Sequence, residues 1–377
     1  MATPRFFIDG NEAVARAALK SGCRFFAGYP ITPATTIYQH MLSLLPPCGG
    51  ICLQGEDEIA SLGFCLGASM AGLKAMTATS GPGISLFSEQ ISFAIAGEIP
   101  LVIVDVQRLG PSTGSATRGA DSDIQFLRWG NSGGLPVIVL APANGADSYN
   151  LTCHAFNLAE TFRCPVFIAS NKEIGLTREA ISEDALADIE PLNRAGYDAH
   201  HLQAPYQPFA PPADSMVPPF LPMGGEVLVR QTSSSHGPDG FITTSPETLE
   251  RGIGRLRDKL TSRRNELALY RIDADPEAEI LVIVYGVTAR AAEECVRGLR
   301  ELSERLSLLV LHTLYPVPEK LLREEIAKVS RVIVIEMNLG QYVREIERFS
   351  GETTVEFFGK MNGELISPDE ILRVIKP

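Results

Sequence analysis

The segment RFFAGYPITPAT, residues 24–35, places a short apolar run directly before two prolines that enclose a threonine. Residues 24–28 are typical of a buried strand. The segment that follows cannot pass directly into a helix, because the residue before a proline is biased towards extended geometry. Thr32 is therefore held between Pro30 and Pro33 at the end of a predicted strand. A threonine restrained in this way calls for an explanation from the other segments of the chain.

The first half of the chain alternates apolar, strand-like runs with segments whose apolar residues recur at helical spacing. Residues 11–22 and 148–162 are examples of the helical pattern. Apolar strands that alternate with helices are typical of a parallel sheet covered on both faces. The predicted strands are RFFAG (24–28), GICLQ (50–54), KAMTAT (74–79), PLVIVDV (100–106), PVIVLAP (136–142) and PVFIAS (165–170).

The pattern changes near residue 191, where a proline-dense stretch begins that cannot form regular helix or sheet. We interpret residues 191–247 as an ordered arm over a surface, because Tyr and Phe are too frequent for a disordered segment. Residues 245–271 are predicted to form one long amphipathic helix. A second α/β unit follows, with strands at 278–286, 306–316 and 331–338, helices at 288–306 and 318–328, and a last helix opened by a capping box at 367–370.

These patterns predict an α/β fold with two open, mostly parallel sheets. The predicted division is residues 1–188 for the first domain, 189–270 for the arm and connecting helix, and 271–377 for the second domain.

The composition limits the classes of function. A net charge of −12 argues against a nucleic-acid partner, which calls for a basic face, and disfavours an anionic membrane surface. The seven cysteines are irregularly spaced without a Cys-x-x-Cys pair, which argues against a metal site or iron–sulfur cluster built by this chain alone. Reduced thiols and the lack of a secretory signal or membrane span predict a cytoplasmic protein.

The segment QGEDEIASLGFCLGASMAG, residues 54–72, combines three successive acidic residues with small residues that recur every four positions. The small residues form a stripe on one face of a predicted helix, where a neighbouring backbone could approach closely. The acids have two interpretations. They could stabilise a helix N-terminus, or one of them could be buried, which would raise its pKa and make it a proton-transfer partner.

Two further segments follow predicted strands. TATSGPGISLF, residues 77–87, places Gly81 and Gly83 at a strand-to-helix junction, which is either a plain turn or a site where backbone amides hold an anion. VDVQRLGPSTG, residues 104–114, places Arg108 at a strand end, where ligands bind in parallel sheets. That arginine could bind a carboxylate through two hydrogen bonds, or lie on the surface beside an acid.

Together these segments resemble one family. GYPITPAT, GEDEIASLGFCLGASMAG, TSGPG and DVQRLGPSTG occur in the same order in the alpha subunit of 2-oxoacid:ferredoxin oxidoreductases, most strongly in the 2-oxoglutarate type (2-oxoglutarate synthase). VIVIEMNLGQYVREIER extends the resemblance over nearly the whole chain. It implies two domains of the thiamine-diphosphate-enzyme type, a pyrimidine-binding domain and a transketolase C-terminal-like domain.

The resemblance assigns roles to residues of this sequence. Thr32 and Arg108 match residues that contact the oxoacid. Glu58, judged by its nine-residue step to Gly67, matches the carboxylate at the aminopyrimidine ring of thiamine diphosphate. A carboxyl group there promotes removal of the proton from the thiazolium carbon. The resemblance further implies substrate binding by Ser112, Thr113 and Arg118, and cofactor binding by Tyr29, Pro30, Ser80 and Gly81 as well as Glu58.

The same resemblance implies a divided enzyme. The Gly-Asp-Gly motif that usually marks the magnesium site of thiamine enzymes is absent. We expect a beta subunit to supply the diphosphate site, Mg2+ and a [4Fe-4S] cluster, in a dimer of alpha–beta pairs that can include small gamma and delta subunits. The expected reaction is the reversible oxidative decarboxylation of 2-oxoglutarate with coenzyme A to succinyl-CoA and CO2, with ferredoxin as electron acceptor.

The choice of oxoacid stays open at this stage, because residues 115–130 depart from the 2-oxoglutarate enzymes where the substrate tail is expected. A five-carbon diacid needs a second polar site, for which Arg118 and Thr113 are candidates. A branched-chain oxoacid such as 2-oxoisovalerate needs an apolar wall, and pyruvate is a further alternative. Other classes are a non-catalytic scaffold subunit and a Rossmann-type dehydrogenase, which the missing third glycine of the dinucleotide fingerprint disfavours.

Overall fold

The computed structural model describes residues 5–198 and 205–376. The strands of these residues are β1 (Arg5–Asp9), β2 (Phe25–Gly28), β3 (Ile51–Gln54), β4 (Ala75–Thr79), β5 (Leu101–Gln107), β6 (Ile138–Leu140), β7 (Pro165–Asn171), β8 (Arg178–Ser182), β9 (Tyr270–Asp273), β10 (Ile280–Val284), β11 (Leu306–Leu311), β12 (Thr313–Tyr315), β13 (Arg331–Glu336) and β14 (Thr354–Gly359). The α-helices are α1 (Gly10–Lys20), α2 (Thr35–Leu44), α3 (Glu58–Met70), α4 (Pro82–Leu86), α5 (Ser88–Ala96), α6 (Ile124–Trp129), α7 (Gly145–Phe162), α8 (Lys172–Leu176), α9 (Pro246–Thr261), α10 (Thr288–Glu301), α11 (Glu319–Ile326), α12 (Val343–Glu347) and α13 (Pro368–Ile375).

The first sheet has seven strands in the spatial order β12-β6-β7-β5-β4-β2-β3. All neighbours pair in parallel except β12, which is antiparallel to β6. β5 lies in the middle and is buried along its whole length. Leu101 and Ile103 enter one hydrophobic core and Val102 enters another. Burial on both faces explains why this strand is almost continuously apolar.

The six strands predicted for this domain are confirmed as β2 to β7, and the α/β class with open, mostly parallel sheets is confirmed as well. β2 ends at Gly28 and α2 begins only at Thr35, so the two prolines separate the strand from the helix as expected. The capping box that opens α13 is also confirmed, with Ser367 and Glu370 each bonding the other's backbone N–H.

The second sheet has the order β14-β13-β10-β11-β9, with β9 antiparallel and the other strands parallel. A small antiparallel ribbon pairs β1 with β8. The sequence patterns do not predict β1, β8, β9 or β14. Many side chains of these strands are exposed or half-buried, so none carries the apolar run by which a buried strand is recognised.

The prediction of one strand over residues 306–316 is wrong. β11 belongs to the second sheet, but β12 crosses to the edge of the first sheet. The crossing is fixed at Leu269, whose backbone oxygen accepts from the N–H groups of His312 at 3.0 Å and Thr313 at 2.9 Å. An apolar run does not show which of two sheets it joins. A strand from the second predicted domain thus completes the sheet of the first. The domain boundaries at 188 and 270 stay predictions.

The amphipathic helix is also shorter than predicted, since α9 ends at Thr261 rather than near residue 271. Beyond it, Leu267 is buried in the core of the first domain, and its backbone oxygen accepts from the Thr313 hydroxyl at 2.5 Å. The contact with β12 draws the chain out of the helix. The helix α10 is also shorter than predicted, since it ends at Glu301 and not at residue 306.

The proline-rich arm lies against the first domain through buried hydrogen bonds. Arg163 Nη1 donates to the backbone oxygen of Pro218 at 3.0 Å, whereas the Tyr206 hydroxyl donates to that of Pro219 at 2.9 Å within the arm itself. Arg194 pairs with Glu160 at 2.7 Å, and both side chains are almost fully buried. The arm is ordered where it is described, and its residues 199–204 lie outside the described residues. No helix of the described part of the chain is long and apolar enough to cross a membrane.

α9 is attached to the first domain by a buried carboxylate. Glu98 Oε2 lies 2.9 Å from Lys259 Nζ, and Oε1 lies 2.5 Å from Arg255 Nη2. Burial acts to raise the pKa of Glu98, but the charges of Lys259 and Arg255 outweigh it and lower the pKa to about 2. This carboxylate is therefore ionised and paired at neutral pH.

We predict that Glu98→Gln destabilises the full chain, because it leaves the buried Lys259 cation without its counter-charge. Breaking a buried pair on one side costs about 3–5 kcal/mol of unfolding free energy, measured by urea denaturation at pH 7. The pKa of Glu98 is depressed, so its contribution is present above about pH 4.5. The difference between wild type and variant should therefore shrink as the pH falls towards 2.

Asp258→Asn is the matched control, because Asp258 forms an exposed pair with Arg257. We expect a change within about 0.5 kcal/mol. A loss for Glu98→Gln as small as that of the control would contradict the role assigned to the buried pair.

Candidate active site

Three neighbouring strands of the first sheet end side by side at one edge. β5, β4 and β2 are consecutive and parallel. Arg108 follows β5, Ser80 and Gly81 follow β4, and residues 29–32 follow β2. Ligands of open parallel sheets bind outside the carboxyl ends of the strands. Most of the residues singled out from the sequence therefore lie at the edge where a ligand is expected.

Arg108 joins two of these loops. Only 4% of its surface is exposed. Nη1 donates to the backbone oxygen of Thr32 at 2.5 Å, and Nη2 donates to that of Thr113 at 2.9 Å. Nε is buried and has no hydrogen-bond partner among the described residues. A guanidinium carries five N–H donors, so Arg108 is a buried cation with donors left for a bound anion.

The turn after β4 lies directly against this guanidinium. Gly81 has φ +48°, a left-handed conformation that favours glycine. A Cβ on Gly81 would lie 3.5 Å from Arg108 Nε. The preceding Ser80 is fully buried, and its Oγ has no partner within the described ranges. Because buried hydroxyls are normally paired, the unpaired one marks a place where a bound molecule can supply the partner.

The three successive acids of the sequence have different surroundings. Asp57 is exposed and caps α3, accepting from the Ala60 N–H at 2.7 Å. Glu56 is exposed as well. Glu58, the first residue of α3, is buried with 8% of its surface exposed. Asp57 therefore stabilises the helix N-terminus, whereas Glu58 is the acid that the fold buries.

Glu58 reaches the turn after β4 through the space that Gly83 leaves open. A Cβ on Gly83 would lie 2.9 Å from Glu58 Oε1 and 2.0 Å from Thr79 Oγ1. The missing side chain at Gly83 thus makes room for the Glu58 carboxylate beside the end of β4. The sequence signal for this contact was the Gly-Pro-Gly turn, whose two interpretations the sequence alone could not separate.

The loop after β5 carries the other predicted substrate residues. The residues Ser112 and Thr113 are exposed, and Thr113 reaches Arg108 through its backbone oxygen. Arg118 is exposed and borders the second domain, since its Cβ lies 2.7 Å from where a Cβ on Gly363 would stand. The structure therefore brings Thr113 to the site but leaves the Ser112 and Arg118 side chains at its rim.

The residues that follow β2 form the open side of the site. Tyr29, Pro30 and Thr32 are all exposed, Tyr29 by 39%. The Thr32 backbone is fixed by its contact with Arg108, while its hydroxyl belongs to an exposed residue. These side chains are accessible to a bound molecule or to a partner chain.

An acidic pair that the sequence patterns do not predict lies beneath the site. Asp105 is fully buried in β5, and Asp123 lies directly before α6. Burial, followed by the neighbouring Asp123, raises the pKa of Asp105 well above its usual value. Burial also raises the pKa of Asp123 to about 6, against the hydrogen bond from Asp105 and the charge of Arg108. An acid inside the apolar run PLVIVDV was the signal that could have identified Asp105.

Asp121 attaches the same loop to the second domain. Its backbone N–H donates to the Met337 oxygen at 2.9 Å, and its backbone oxygen accepts from Asn338 Nδ2 at 3.1 Å. Its Oδ1 accepts from Asn171 Nδ2 at 2.9 Å. Burial raises the pKa of Asp121 to about 7, although the Asn171 hydrogen bond opposes the shift. The end of β13 therefore holds the loop that Arg108 also contacts.

Glu336, the last residue of β13, orders the segment behind this contact. Its carboxylate accepts from the Tyr285 hydroxyl at 2.7 Å and from the N–H groups of Tyr342 at 2.9 Å and Val343 at 2.7 Å. Asn338 Nδ2 donates to the same Tyr285 hydroxyl at 2.7 Å. The segment VIVIEMNLGQYV thus builds a buried network whose outer member, Asn338, bonds the loop of the first domain.

Two family models match this chain. Residues 16–251 match the thiamine-diphosphate-binding model of pyruvate flavodoxin/ferredoxin oxidoreductases, and residues 278–371 match core domain II of pyruvate:ferredoxin oxidoreductase. The fold and the site therefore define a thiamine-diphosphate-binding protein of the oxidoreductase class.

The relatives narrow this class. The 2-oxoglutarate synthase subunit KorA of Methanocaldococcus jannaschii is 41% identical over 98% of this chain and 98% of that protein. The 2-oxoglutarate:ferredoxin oxidoreductase of Magnetococcus marinus, solved with 2-oxoglutarate, coenzyme A and succinyl-CoA bound, has a TM-score of 0.94 at 31% identity. That match covers 99% of this chain and 65% of the other. This chain belongs to the family of alpha subunits of 2-oxoacid:ferredoxin oxidoreductases.

A more distant likeness concerns the fold alone. A split-gene transketolase, solved as an inactive beta4 tetramer, has a TM-score of 0.52 at 14% identity over 98% of this chain and 93% of the other. It agrees with the predicted thiamine-diphosphate-enzyme architecture, in which the second domain resembles the C-terminal domain of transketolase.

The residues present fit the pyrimidine end of thiamine diphosphate. A buried carboxylate at Glu58, an unpaired buried hydroxyl at Ser80 and the glycine turn between them form a cradle that added Cβ atoms would fill. Within residues 5–198 and 205–376, no group of three or more His, Cys, Asp or Glu residues could hold a metal ion.

We predict that Gly83→Ala displaces the Glu58 carboxylate, because the new methyl group would overlap Thr79 Oγ1 and crowd Glu58 Oε1. Overpacking of this kind costs about 1–3 kcal/mol of stability, measured by urea denaturation. The activity of the complex assembled with its partner subunits should fall more than about tenfold, because a 1 Å misplacement alone can cost a hundredfold.

Gly252→Ala is the control, because a Cβ at Gly252 in α9 meets nothing within 4 Å. We expect it to keep full activity and to gain about 0.5–1 kcal/mol of helix stability. Wild-type activity in Gly83→Ala would show that the position of Glu58 does not matter.

Proposed function

We propose that this chain is the alpha subunit of a 2-oxoglutarate:ferredoxin oxidoreductase and supplies the oxoacid-binding side of its active site. The reaction is the oxidative decarboxylation of 2-oxoglutarate with coenzyme A to succinyl-CoA and CO2, with electrons passed to ferredoxin. The observation that carries the proposal is the buried Arg108 guanidinium, held by the carbonyls of Thr32 and Thr113 beside Gly81. The names of the two relatives, both 2-oxoglutarate enzymes, support the choice of oxoacid.

Arg108 binds the carboxylate next to the keto group. Two of its nitrogens are oriented by backbone carbonyls, so the guanidinium plane is fixed before the substrate arrives. Its free N–H groups, Nε included, then offer the paired geometry that suits a carboxylate. The Thr32 hydroxyl, on a backbone tied to the same guanidinium, donates a hydrogen bond at the same end of the substrate.

The substrate tail extends towards the rim formed by the loop after β5. A five-carbon diacid carries a second carboxylate that needs a cation or hydrogen-bond donors. Arg118 supplies that cation, and the Ser112 and Thr113 hydroxyls are donors on the same exposed loop. A pocket for a branched-chain oxoacid would need an apolar wall in this place.

Glu58 holds the proton that passes to and from the aminopyrimidine ring nitrogen. Its burial beside Gly83 leaves the side chain little contact with water. When bound, thiamine diphosphate supplies the carbon nucleophile and the ring that takes up the electron pair released with CO2. Tyr29, Pro30, Ser80 and Gly81 line the place where the pyrimidine half would lie.

The rest of the enzyme comes from partner chains. A beta subunit carries the diphosphate site with Mg2+ and a [4Fe-4S] cluster, and coenzyme A is the co-substrate. We infer a cytoplasmic dimer of alpha–beta pairs, to which small gamma and delta subunits can be added. The seven cysteines of this chain include no Cys-x-x-Cys pair that would suggest a cluster of its own.

We predict that the complex of this chain with its partner subunits prefers 2-oxoglutarate over 2-oxoisovalerate and pyruvate, assayed with a viologen as electron acceptor. Arg108→Lys keeps the charge but loses the planar fork. The loss of a charge-assisted contact costs about 1.5–3 kcal/mol, or one to two decades in kcat/KM for 2-oxoglutarate. Thiamine diphosphate affinity should be unchanged, because Arg108 is assigned to the oxoacid.

Arg297→Lys is the matched control, because Arg297 forms an exposed pair with Glu294 in the second domain. This variant should keep wild-type kinetics. Wild-type kcat/KM in Arg108→Lys would remove Arg108 from the substrate site. A complex that binds thiamine diphosphate but turns over none of the three oxoacids would favour a scaffold subunit instead.

A further inference from the structure

Beneath Arg108 the fold brings two aspartates together. Asp105 and Gln107 lie two residues apart in β5, so their side chains face the same side of the sheet. Gln107 Oε1 accepts from the backbone N–H of Asp123 at 2.9 Å, which fixes Asp123 beside the end of the strand. From there the Asp123 carboxyl group comes within hydrogen-bonding reach of the Asp105 carboxyl group.

The described residues offer the pair few donors, of which the Gly81 N–H approaches Asp105. Both carboxyl oxygens of Asp105 and Oδ2 of Asp123 are buried, and none accepts a hydrogen bond from the described residues. Ionised carboxylates can only accept, so two of them in contact would leave these buried oxygens unpaired and like charges adjacent. A single proton between the two groups pairs one oxygen of each and removes one of the two adjacent charges.

The groups around the pair belong to the active site. Arg108 follows Asp105 by three residues, and its charge acts on both acids. The Gly81 N–H approaches Asp105 from the turn after β4, and Thr79 is its direct neighbour in the sheet. The other ionisable groups facing this region are Asp121, on the loop that contains Asp123, and Glu58, beside Thr79 at the start of α3.

We propose that Asp105 and Asp123 form a buried carboxyl pair that shares one proton and positions Arg108 for the oxoacid. With one proton the pair carries a single negative charge, which is a counter-charge to the buried guanidinium. Without the proton, a double negative charge draws the guanidinium from the carbonyls of Thr32 and Thr113. With two protons, the cation has no counter-charge. The positioning role rests on the proposed oxoacid site, whereas the shared proton does not.

The shared proton is tested by the melting temperature of the full chain between pH 5 and pH 8. The pKa of Asp105 is raised, so the stability that its neutral form gives is present at low pH and is lost as the pH rises. Asp105→Asn keeps the shape, does not titrate, and donates an N–H to Asp123. The melting temperature of Asp105→Asn minus that of wild type should therefore increase by a few degrees as the pH is raised from 5 to 8.

Asp123→Asn should act in the same way, because its amide donates to Asp105 and removes the like charge. The double variant should gain nothing further over either single variant, since the two residues act as one unit. The series is measured in an Asp121→Asn background, because Asp121 itself titrates near pH 7. Asp258→Asn, an exposed control, should differ from wild type by a constant amount at every pH.

A constant difference between wild type and Asp105→Asn would overturn the shared proton. So would a pH dependence that persists undiminished in Asp123→Asn, because Asp105 would then titrate on its own. Infrared difference spectra at pH 7 give a second readout. Wild type minus Asp105→Asn should show the carbonyl band of a protonated carboxylic acid, and its absence would equally contradict the proposal.

The positioning role is tested in the assembled complex by the KM for 2-oxoglutarate. Asp105→Asn should stay within about threefold of wild type, whereas Asp105→Leu, which cannot hydrogen-bond, should raise KM more than tenfold. Equal KM values for Asp105→Leu and wild type would overturn positioning. So would a loss in Asp105→Asn as large as that in Asp105→Leu. A complex without oxoacid turnover would contradict the proposed function, while the melting series would still decide the shared proton.

Discussion

The candidate active site depends on the contact of the Arg108 guanidinium with the carbonyl oxygens of Thr32 and Thr113. A buried cation is costly unless polar groups surround it. Two backbone oxygens satisfy part of this need and, in return, the cation holds the segment after β2 and the loop after β5 at a fixed separation. The arrangement explains why the sequence places two prolines around Thr32. They remove backbone freedom where the carbonyl must meet the guanidinium.

The second domain completes this arrangement from behind. The loop after β5 is held at Thr113 by Arg108 and at Asp121 by Met337 and Asn338. Gln341 adds a hydrogen bond to the Ser122 oxygen at 2.6 Å. Two fixed points on one loop define the course of the residues between them, including Arg118. The motif VIVIEMNLGQYV therefore affects the site through the loop. Its glutamate and asparagine belong to a buried hydrogen-bond network that does not reach the edge of the sheet.

Much of the first domain could be predicted because buried parallel strands leave a strong pattern. β5 is apolar on both faces, and the Gly28 and Thr35 boundaries follow from proline geometry. The strands that were missed, such as β14, are half-exposed edges without that pattern. The destination of β12 depended on hydrogen bonds to Leu269, a contact between segments that no local pattern records.

The site was predictable to the extent that motifs carry it. The order of the motifs along the chain predicts Glu58, Arg108 and Thr32 as site residues, and the structure gathers their segments at one edge. The sequence does not identify Asp105, because the apolar residues around it indicate only a buried strand, nor Asp123, because its importance lies only in its contact with Asp105. Residues whose role comes from a partner brought close by folding cannot be recognised one at a time.

We propose that the catalytic carboxyl group of the shared site lies on this chain, at Glu58 and not at its exposed neighbour Glu56. The direct measurement is the exchange of the thiazolium proton for deuterium in the assembled complex, followed by NMR after rapid quenching. Loss of general acid–base assistance typically costs about 10²–10⁴-fold, so Glu58→Gln should slow exchange by that factor while Glu56→Gln exchanges like wild type. Normal exchange in Glu58→Gln, or slow exchange in Glu56→Gln alone, would contradict the assignment of Glu58.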